Sequence, residues 1–337
     1  MAIATNTRTT YGAIGVREDL SNIIYDISPE DTPFLSNIGK GTANNTLFEW
    51  QTDELAAAAA NQQLEGDDSM NALAVAEPVR LTNVCQISYK VVQSSGTAEA
   101  VDFAGRRTTQ AYQLAKRAKE IKRDMEKMLL SNDVKVTGAA GTARKTAAVM
   151  SWLGTTSAGT SNIVLGSASP VVGVVNNGGS SPAVGPDGTT VASFGTSAVL
   201  TMAMINLAME RAFTLGGEPS TIMAPADLKQ KISALGGSVV ADLVQNQSSA
   251  TQGVAVNAVD VLVTDFGTLK IKPSRLMLAD MLFFVDYDFW SVDYLRPFQT
   301  EVLAKTGDSI KQMMVAEYGL RAKNGLANAA VIGVKDA

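Results

Sequence analysis

The chain has no histidine in 337 residues. That absence excludes Ser-His-Asp and Cys-His nucleophile systems and any His-ligated metal site. Carboxylates, Lys or Tyr can still move protons, but the most frequent general acid–base side chain is gone, which weighs against an enzyme. There is one cysteine, Cys85, so neither an intrachain disulfide nor a thiolate zinc cluster can form. Charge is sparse: 18% of residues are charged and 46% are hydrophobic, a balance that suits a globular protein with much surface buried against something. No apolar run reaches the roughly eighteen residues that a membrane helix needs, so no membrane partner is expected. The first eight residues have neither a basic start nor an apolar core, unlike a secretory signal. With a net charge of -5, the chain as a whole is no polyanion binder.

What is present is organised around residues 97–132, which read as one long helix. Ala111, Leu114, Ala118, Ile121, Met125 and Met128 recur at alternating steps of three and four, a narrow apolar stripe. A rod over 106–131 is about 39 Å long at 1.5 Å per residue. Thr97 is the expected N-cap, with Glu99 and Asp102 favouring the helix dipole. Gly105 is a site for a kink. Lys122–Glu126 and Glu120–Arg123 stand at ion-pair spacing. Between Arg106 and Lys127 there are eight Lys/Arg against Glu120, Asp124 and Glu126, a local balance of +5. Two readings of that face are open: a solvated helix surface, or a sequence-blind contact with nucleic-acid phosphates.

The flanking segments fall into recognisable parts. Residues 1–15 form an extended arm, 16–27 a short amphipathic helix, and Ser28-Pro29 and Thr32-Pro33 two helix starts. Residues 46–52 and 81–92 make a hairpin. Phe48 and Trp50 share one face, and Cys85, Ile87, Tyr89 and Val91 alternate with polar residues. That alternation makes Cys85 a small apolar filler. The insertion 56–77 between the arms, acidic at Glu65, Asp67 and Asp68, has to project outward. Residues 143–153 pack behind the long helix. Residues 154–195 are rich in Gly, Ser, Thr, Asn and Pro and read as a surface loop or insertion. Residues 196–215 form a helix apolar nearly all round, capped by Gly216-Gly217; 221–224 is a buried strand, 225–235 a helix ended by Gly236-Gly237, and 254–264 a strand. The remainder reads as strands at 268–272, 275–278, 281–285, 289–295, 312–324 and 329–334. In the fifth of these, Met314, Ala316, Tyr318, Leu320 and Ala322 share a face suited to covering the long helix.

The order of these parts resembles a known family. The stretches that carry the likeness are Ser28-Pro29-Glu30-Asp31-Thr32-Pro33-Phe34-Leu35, Gly96-Thr97-Ala98-Glu99-Ala100-Val101 with Ala104-Gly105-Arg106, and Lys119-Glu120-Ile121-Lys122-Arg123-Asp124. Further on come Ala143-Arg144-Lys145-Thr146, Gly216-Gly217-Glu218-Pro219, Asp265-Phe266-Gly267-Thr268-Leu269-Lys270 and Tyr294-Leu295-Arg296-Pro297-Phe298. Together they resemble the major capsid proteins of tailed bacteriophages with the HK97-like fold, in their SU10-like branch. The resemblance implies an α+β capsid fold: an N-terminal arm (1–41), an extended E-loop hairpin (42–95), a peripheral domain with a spine helix (96–153) and the Gly/Ser-rich insertion (154–195). It further implies an α/β axial domain (196–265) and return strands completing both domains (266–337).

The implied function is structural. Copies assemble as hexamers and pentamers into an icosahedral head around double-stranded DNA, and no cofactor is expected. Phe48, Trp50 and Tyr89 are the candidate intersubunit contacts. Arg106, Arg107, Lys116, Arg117, Lys119, Lys122, Arg123 and Lys127 are the candidate DNA-facing residues. Portal and scaffolding or cement proteins are further expected partners, and the place is the virion, assembled in the host bacterial cytoplasm. A surface-array or tube subunit is the alternative. An enzyme is a distant third: Asp265-Phe266-Gly267 matches the kinase magnesium motif in letters but has no Gly-rich loop or catalytic loop before it, and Asp286/Asp288 and Asp67/Asp68 are carboxylate pairs without fixed geometry.

Overall fold

The computed structural model describes residues 31–53, 77–103, 108–154, 161–166, 171–172, 187–189, 197–245 and 259–336, with isolated positions at 55, 58, 60, 62, 65 and 194. The arm at 1–15, the helix at 16–27, Asp67, Asp68 and most of 154–195 lie outside the described residues.

The chain enters through α1 (Pro33–Asn37), started by Pro at its first position as Thr32-Pro33 predicts. Strand β1 (Gly39–Thr42) follows. Then β2 (Leu47–Thr52) pairs antiparallel with β3 (Val79–Val84), Trp50 opposite Leu81 and Thr52 opposite Val79. The returning arm is not one strand. It breaks at Cys85, and β4 (Gln86–Ser95) leaves the hairpin for a different sheet.

The long helix also divides. α2 (Gly96–Ala100) ends where Val101 turns extended, and α3 (Thr109–Leu129) carries the rest. At 21 residues, α3 is about 32 Å long. Its N-terminal partner is capped by Ser95 rather than Thr97, because β4 runs straight into the helix and leaves Ser95 extended with its hydroxyl on the Ala98 N–H at 3.2 Å. The predicted ion pairs are replaced. Glu120 pairs with Arg117 and Lys90, not Arg123. Glu126 turns inward instead of meeting Lys122 and is fully buried. Its carboxylate accepts from the backbone N–H groups of Phe34 (2.8 Å) and Leu35 (2.7 Å). The donors at the start of α1, which Thr32 leaves uncapped, are thus satisfied from the spine.

Beyond the spine, residues 149–152 form a buried 3-10 turn. Short strands β5 (Ile163–Leu165), β6 (Val171–Val172) and β7 (Ala198–Val199) come next. Helix α4 (Met202–Thr214) is buried along Met204, Ile205, Ala208, Met209 and Ala212 only; Phe213 is exposed, so the helix is one-sided where its composition reads as buried all round. Gly216 at φ +84° ends it, as expected of a left-handed C-cap. β8 (Thr221–Ala224) is wholly buried. α5 (Ala226–Gln245) runs through Gly236-Gly237 instead of stopping there. Each interior glycine weakens a helix by about 1 kcal/mol, which is not enough to end one by itself.

The rest is strand: β9 (Val261–Thr264), β10 (Gly267–Pro273), β11 (Met281–Val285), β12 (Trp290–Val302), β13 (Ser309–Ala322), β14 (Ala329–Ile332) and β15 (Val334–Lys335). Residues 275–278, read as a strand, form bends that carry the chain from β10 to β11.

Two sheets organise this material. One has the order β1-β12-β13-β4, the other β6-β5-β14-β11-β8-β10-β9. The first lies against α3. Ile121, Met125 and Leu129 share a core with Ala316, Tyr318, Leu320 and Ala322, the predicted inner face of β13. The second packs α4 and α5 over Ile222, Leu269, Phe284 and Val331. The last third of the chain serves both, β12 and β13 in one sheet and β10, β11 and β14 in the other.

Burial pushes the Glu126 carboxyl above the ordinary carboxylate range, against the two N–H bonds that pull it down. The folded chain therefore holds this proton more tightly than the unfolded chain. The stability it contributes is complete below the ordinary carboxylate value and is lost as pH rises through the raised one. Glu126→Ala, which strands two buried donors, is expected to destabilise the fold by about 2 kcal/mol in urea unfolding. Glu126→Gln is milder, and its stability relative to the parent improves as pH rises from about 4 to neutral. A difference between Gln variant and parent that does not change with pH contradicts this account.

Candidate functional site

The basic residues sit on α3 and are sorted by it. Arg106 and Arg107 lie outside the described residues. Arg117 is held by Glu120, and Lys122 lines a cleft of about 460 Å³ with Leu35, Tyr294, Pro297 and Phe298. Lys116, Lys119, Arg123 and Lys127 follow one another at i, i+3, i+7 and i+11, which lays them along one side of the helix. Lys116, Lys119 and Lys127 are exposed and Arg123 is half-buried.

The acidic residues that dilute this charge in sequence are turned away. Glu126 is buried beneath α1. Asp124 meets Lys90 of β4 at 2.8 Å, and Glu120 lies between Lys90 and Arg117. Glu126 and Asp124 are thus directed to α1 and β4 rather than to the stripe.

The three aromatic candidates separate. Phe48 is buried and stacks on Trp50 with ring centroids 5.6 Å apart. Trp50 in turn lies 5.2 Å from Trp152, and its indole N–H donates to the Ala322 carbonyl at 2.8 Å. Both fasten the hairpin base to its own subunit. Tyr89 alone of the three presents most of its side chain to the outside, being 62% exposed.

A polar network missed by sequence reasoning fixes the same base. Asn83 is wholly buried, donates to Thr146 Oγ1 at 3.0 Å and accepts from the Val84 and Ala147 N–H groups at 2.8 and 3.0 Å. Glu317, almost fully buried, is clasped by Arg144 and by Arg296 at 2.9 Å. Asp293 is ion-paired with Arg321, whose guanidinium lies 5.7 Å from the Phe48 ring and 5.8 Å from the Trp50 ring. Lys135 donates to the Thr82 carbonyl at 3.0 Å and the Asp187 carbonyl at 2.9 Å, and burial lowers its pKa. Apart from the adjacent Asn83 and Val84, the partners are separated by tens to hundreds of residues, so no local sequence pattern announces them.

The features that could suggest chemistry have structural places. Cys85 is fully buried and its thiol is pushed up to about 11, chiefly by burial. Asp265-Phe266-Gly267 is the turn joining β9 to β10, with Gly267 at φ +143°. Asp286 caps a 3-10 turn, accepting from the Asp288 N–H at 3.1 Å. Among the described residues no group of His, Cys, Asp and Glu side chains is arranged to hold a metal ion, and no helix is long and apolar enough to cross a membrane.

Comparison with known proteins agrees with this arrangement. The family model described as SU10 major capsid protein matches residues 3–335. The major capsid protein of Escherichia phage Phieco32 is 31% identical over 350 residues, covering 95% of this chain and 94% of that protein. Among solved structures, the cyanophage A-1(L) capsid asymmetric unit superposes with a TM-score of 0.65 at 11% identity, covering 97% of this chain and 99% of that one. The capsid of a native GTA particle gives a TM-score of 0.60 at 12% identity, covering 99% and 100%. The α+β fold is thus the HK97-like capsid fold, and with the family match spanning nearly every residue, the chain belongs to the SU10 major capsid protein family.

Proposed function

We propose that this chain assembles as hexamers and pentamers into an icosahedral phage head around double-stranded DNA. The observation that carries the reading is the family match over residues 3–335. In this reading the α3 frame with its four-stranded sheet is the peripheral domain, the seven-stranded sheet with α4 and α5 most of the axial domain, and β2–β3 the base of the E-loop. Portal and scaffolding or cement proteins are its other partners. The chain carries no catalytic activity, and it reaches the virion by assembly in the host bacterial cytoplasm.

The stripe Lys116, Lys119, Arg123 and Lys127 faces the packaged DNA. Phosphate contacts of this kind position without reading sequence. Two features support the assignment: the exposure of Lys116, Lys119 and Lys127, and the engagement of Asp124 by Lys90 of β4 and of Glu126 by the backbone of α1. The net charge of -5 keeps the rest of the shell from sticking to its contents.

Two measurements test this. Electron microscopy of the purified chain, with its mass by light scattering, is expected to show closed shells or rings of five and six. A monomer at high concentration, unchanged by a scaffold candidate, contradicts it. Separately, changing the four stripe residues together to Gln is expected to reduce the slope of log affinity against log salt for a short DNA duplex by about 3 to 4. An unchanged slope returns the stripe to ordinary solvated surface.

A further inference from the structure

Strand β1 is an open edge. In the order β1-β12-β13-β4 it pairs on one side only among the described residues. The Ala43 N–H donates to the Tyr294 carbonyl at 3.0 Å, and the pairing with β12 is parallel, so Gly39 and Gly41 turn their backbone groups to β12 as Ala43 does. The alternate residues Lys40 and Thr42 turn their N–H and C=O groups the other way, where no described residue pairs with them. Both residues are exposed. Main-chain donors and acceptors left open along an edge are a template for a further strand.

A cleft lies on each face of the sheet at this edge. Asp293 and Tyr294 follow one another in β12 and so face opposite ways, and each lines one of the two. On the α3 face is the cleft of about 460 Å³ that holds Lys122, and Lys40 lines it too, with no carboxylate in its wall. The β12 side of this cleft is irregular: the register slips between Tyr294 and Arg296 and again between Arg296 and Gln299, which bends the strand locally. On the hairpin face a second cleft of about 450 Å³ is lined by Lys40, Trp50, Gln51, Asp293, Arg321 and Lys323. Its one carboxylate, Asp293, is paired with Arg321. There β1 is bare, because a Cβ on Gly41 would collide with the Asp293 carboxylate. Both clefts are therefore positive, and Lys40 stands between them.

We propose that β1 receives an extended, acidic segment of a partner polypeptide as a further strand of this sheet. The main chain of that segment pairs with Lys40 and Thr42. Its alternate side chains enter the two clefts, since successive residues of a strand point to opposite faces. Carboxylates are called for on both sides, by Lys40 and Lys122 in one cleft and by Lys40 and Lys323 in the other. A lysine on an edge blunts it against most strands, and the same charge attracts an acidic one. The partner is a different polypeptide, because the other edge strands of the two sheets, β4, β6 and β9, hold no carboxylate. This deepens the assembly reading by giving its scaffolding or cement partners a site, and it rests on that reading for the partner's role.

The test is fluorescence anisotropy of the full, unassembled chain with a labelled peptide in which Glu alternates with Val and Thr. Saturable binding below about 1 mM is expected. The same peptide with Lys for Glu is expected not to bind. A version with Pro at every Val and Thr position keeps all the carboxylates but lacks half the ladder donors, and is expected to bind about tenfold more weakly or worse. Lys40→Glu with Lys122→Glu, both on exposed side chains, is expected to weaken the parent peptide by about tenfold or more with an unchanged unfolding midpoint. No binding by the parent chain overturns the proposal, as does equal binding of the Lys peptide or of the charge-reversed chain. Equal binding of the Pro peptide overturns it too, and leaves a plain charge contact. Hydrogen exchange is expected to show the peptide slowing the Lys40 and Thr42 amides. Slowing of those amides on self-assembly without any peptide assigns the edge to a second copy and overturns the proposal. Because the peptide is read on unassembled chain, a chain that forms neither rings nor shells defeats the assembly reading alone.

Discussion

The packing of the α3 stripe against the inner face of β13 is the constraint on which the other parts depend. Ile121, Met125 and Leu129 lose all or nearly all contact with water there, beneath Tyr318 and Leu320. Each such burial contributes about 1.5–3 kcal/mol before entropy is counted. Once that interface is set, β13 fixes β4 on one side and β12 on the other, and β12 fixes β1. The helix surface left over is then sorted. One edge pairs with Lys90, one caps α1 through Glu126, and what remains outside is basic.

Fastening the hairpin base takes a different kind of interaction. Apolar contact alone leaves the register of a short ribbon poorly defined, since a one-residue slip exchanges its faces. Here Asn83, Glu317 and Asp293 are buried polar groups whose partners come from segments far apart in sequence. A slip of β3 takes Asn83 from Thr146 and the Ala147 N–H, and an unpaired buried polar group costs more than a made hydrogen bond gains. Gly319 serves the same end. A Cβ there would stand 2.4 Å from the Phe48 ring, so only glycine lets β13 pass beneath it. The base is held by hydrogen bonds, and Val79 at its outer end is 60% exposed.

Much of this fold was legible in the sequence because periodicity reports burial. The stripe on α3, the inner face of β13, the boundaries of β8 and β11 and the Gly216 cap followed from spacing and turn chemistry. The failures share one cause. Lys122 and Glu126 stand at ion-pair spacing because both lie on one helix, whereas the structure turns Glu126 to the backbone of α1, about ninety residues away in sequence. Ile87, Tyr89 and Val91 alternate as a buried face does, yet alternation cannot say which side of a strand meets its own chain. Phe48 and Trp50 read as contact aromatics, and only the fold shows Trp152 and Arg321 beneath them. Of the basic residues, the sequence named the helix, while the structure separated the outer four from Arg117 and Lys122.

The central claim is a subunit whose frame is fixed by its own core and whose hairpin is fastened to that core at its base. Hydrogen exchange on the unassembled chain and on assembled particles tests it most directly. The account predicts that amides of α3, β11, β12 and β13 are equally protected in both, and that those of the hairpin base around Phe48 and Trp50 are protected already in the unassembled chain. Fast exchange of the hairpin base in the unassembled chain, or a frame whose protection changes on assembly, would contradict it.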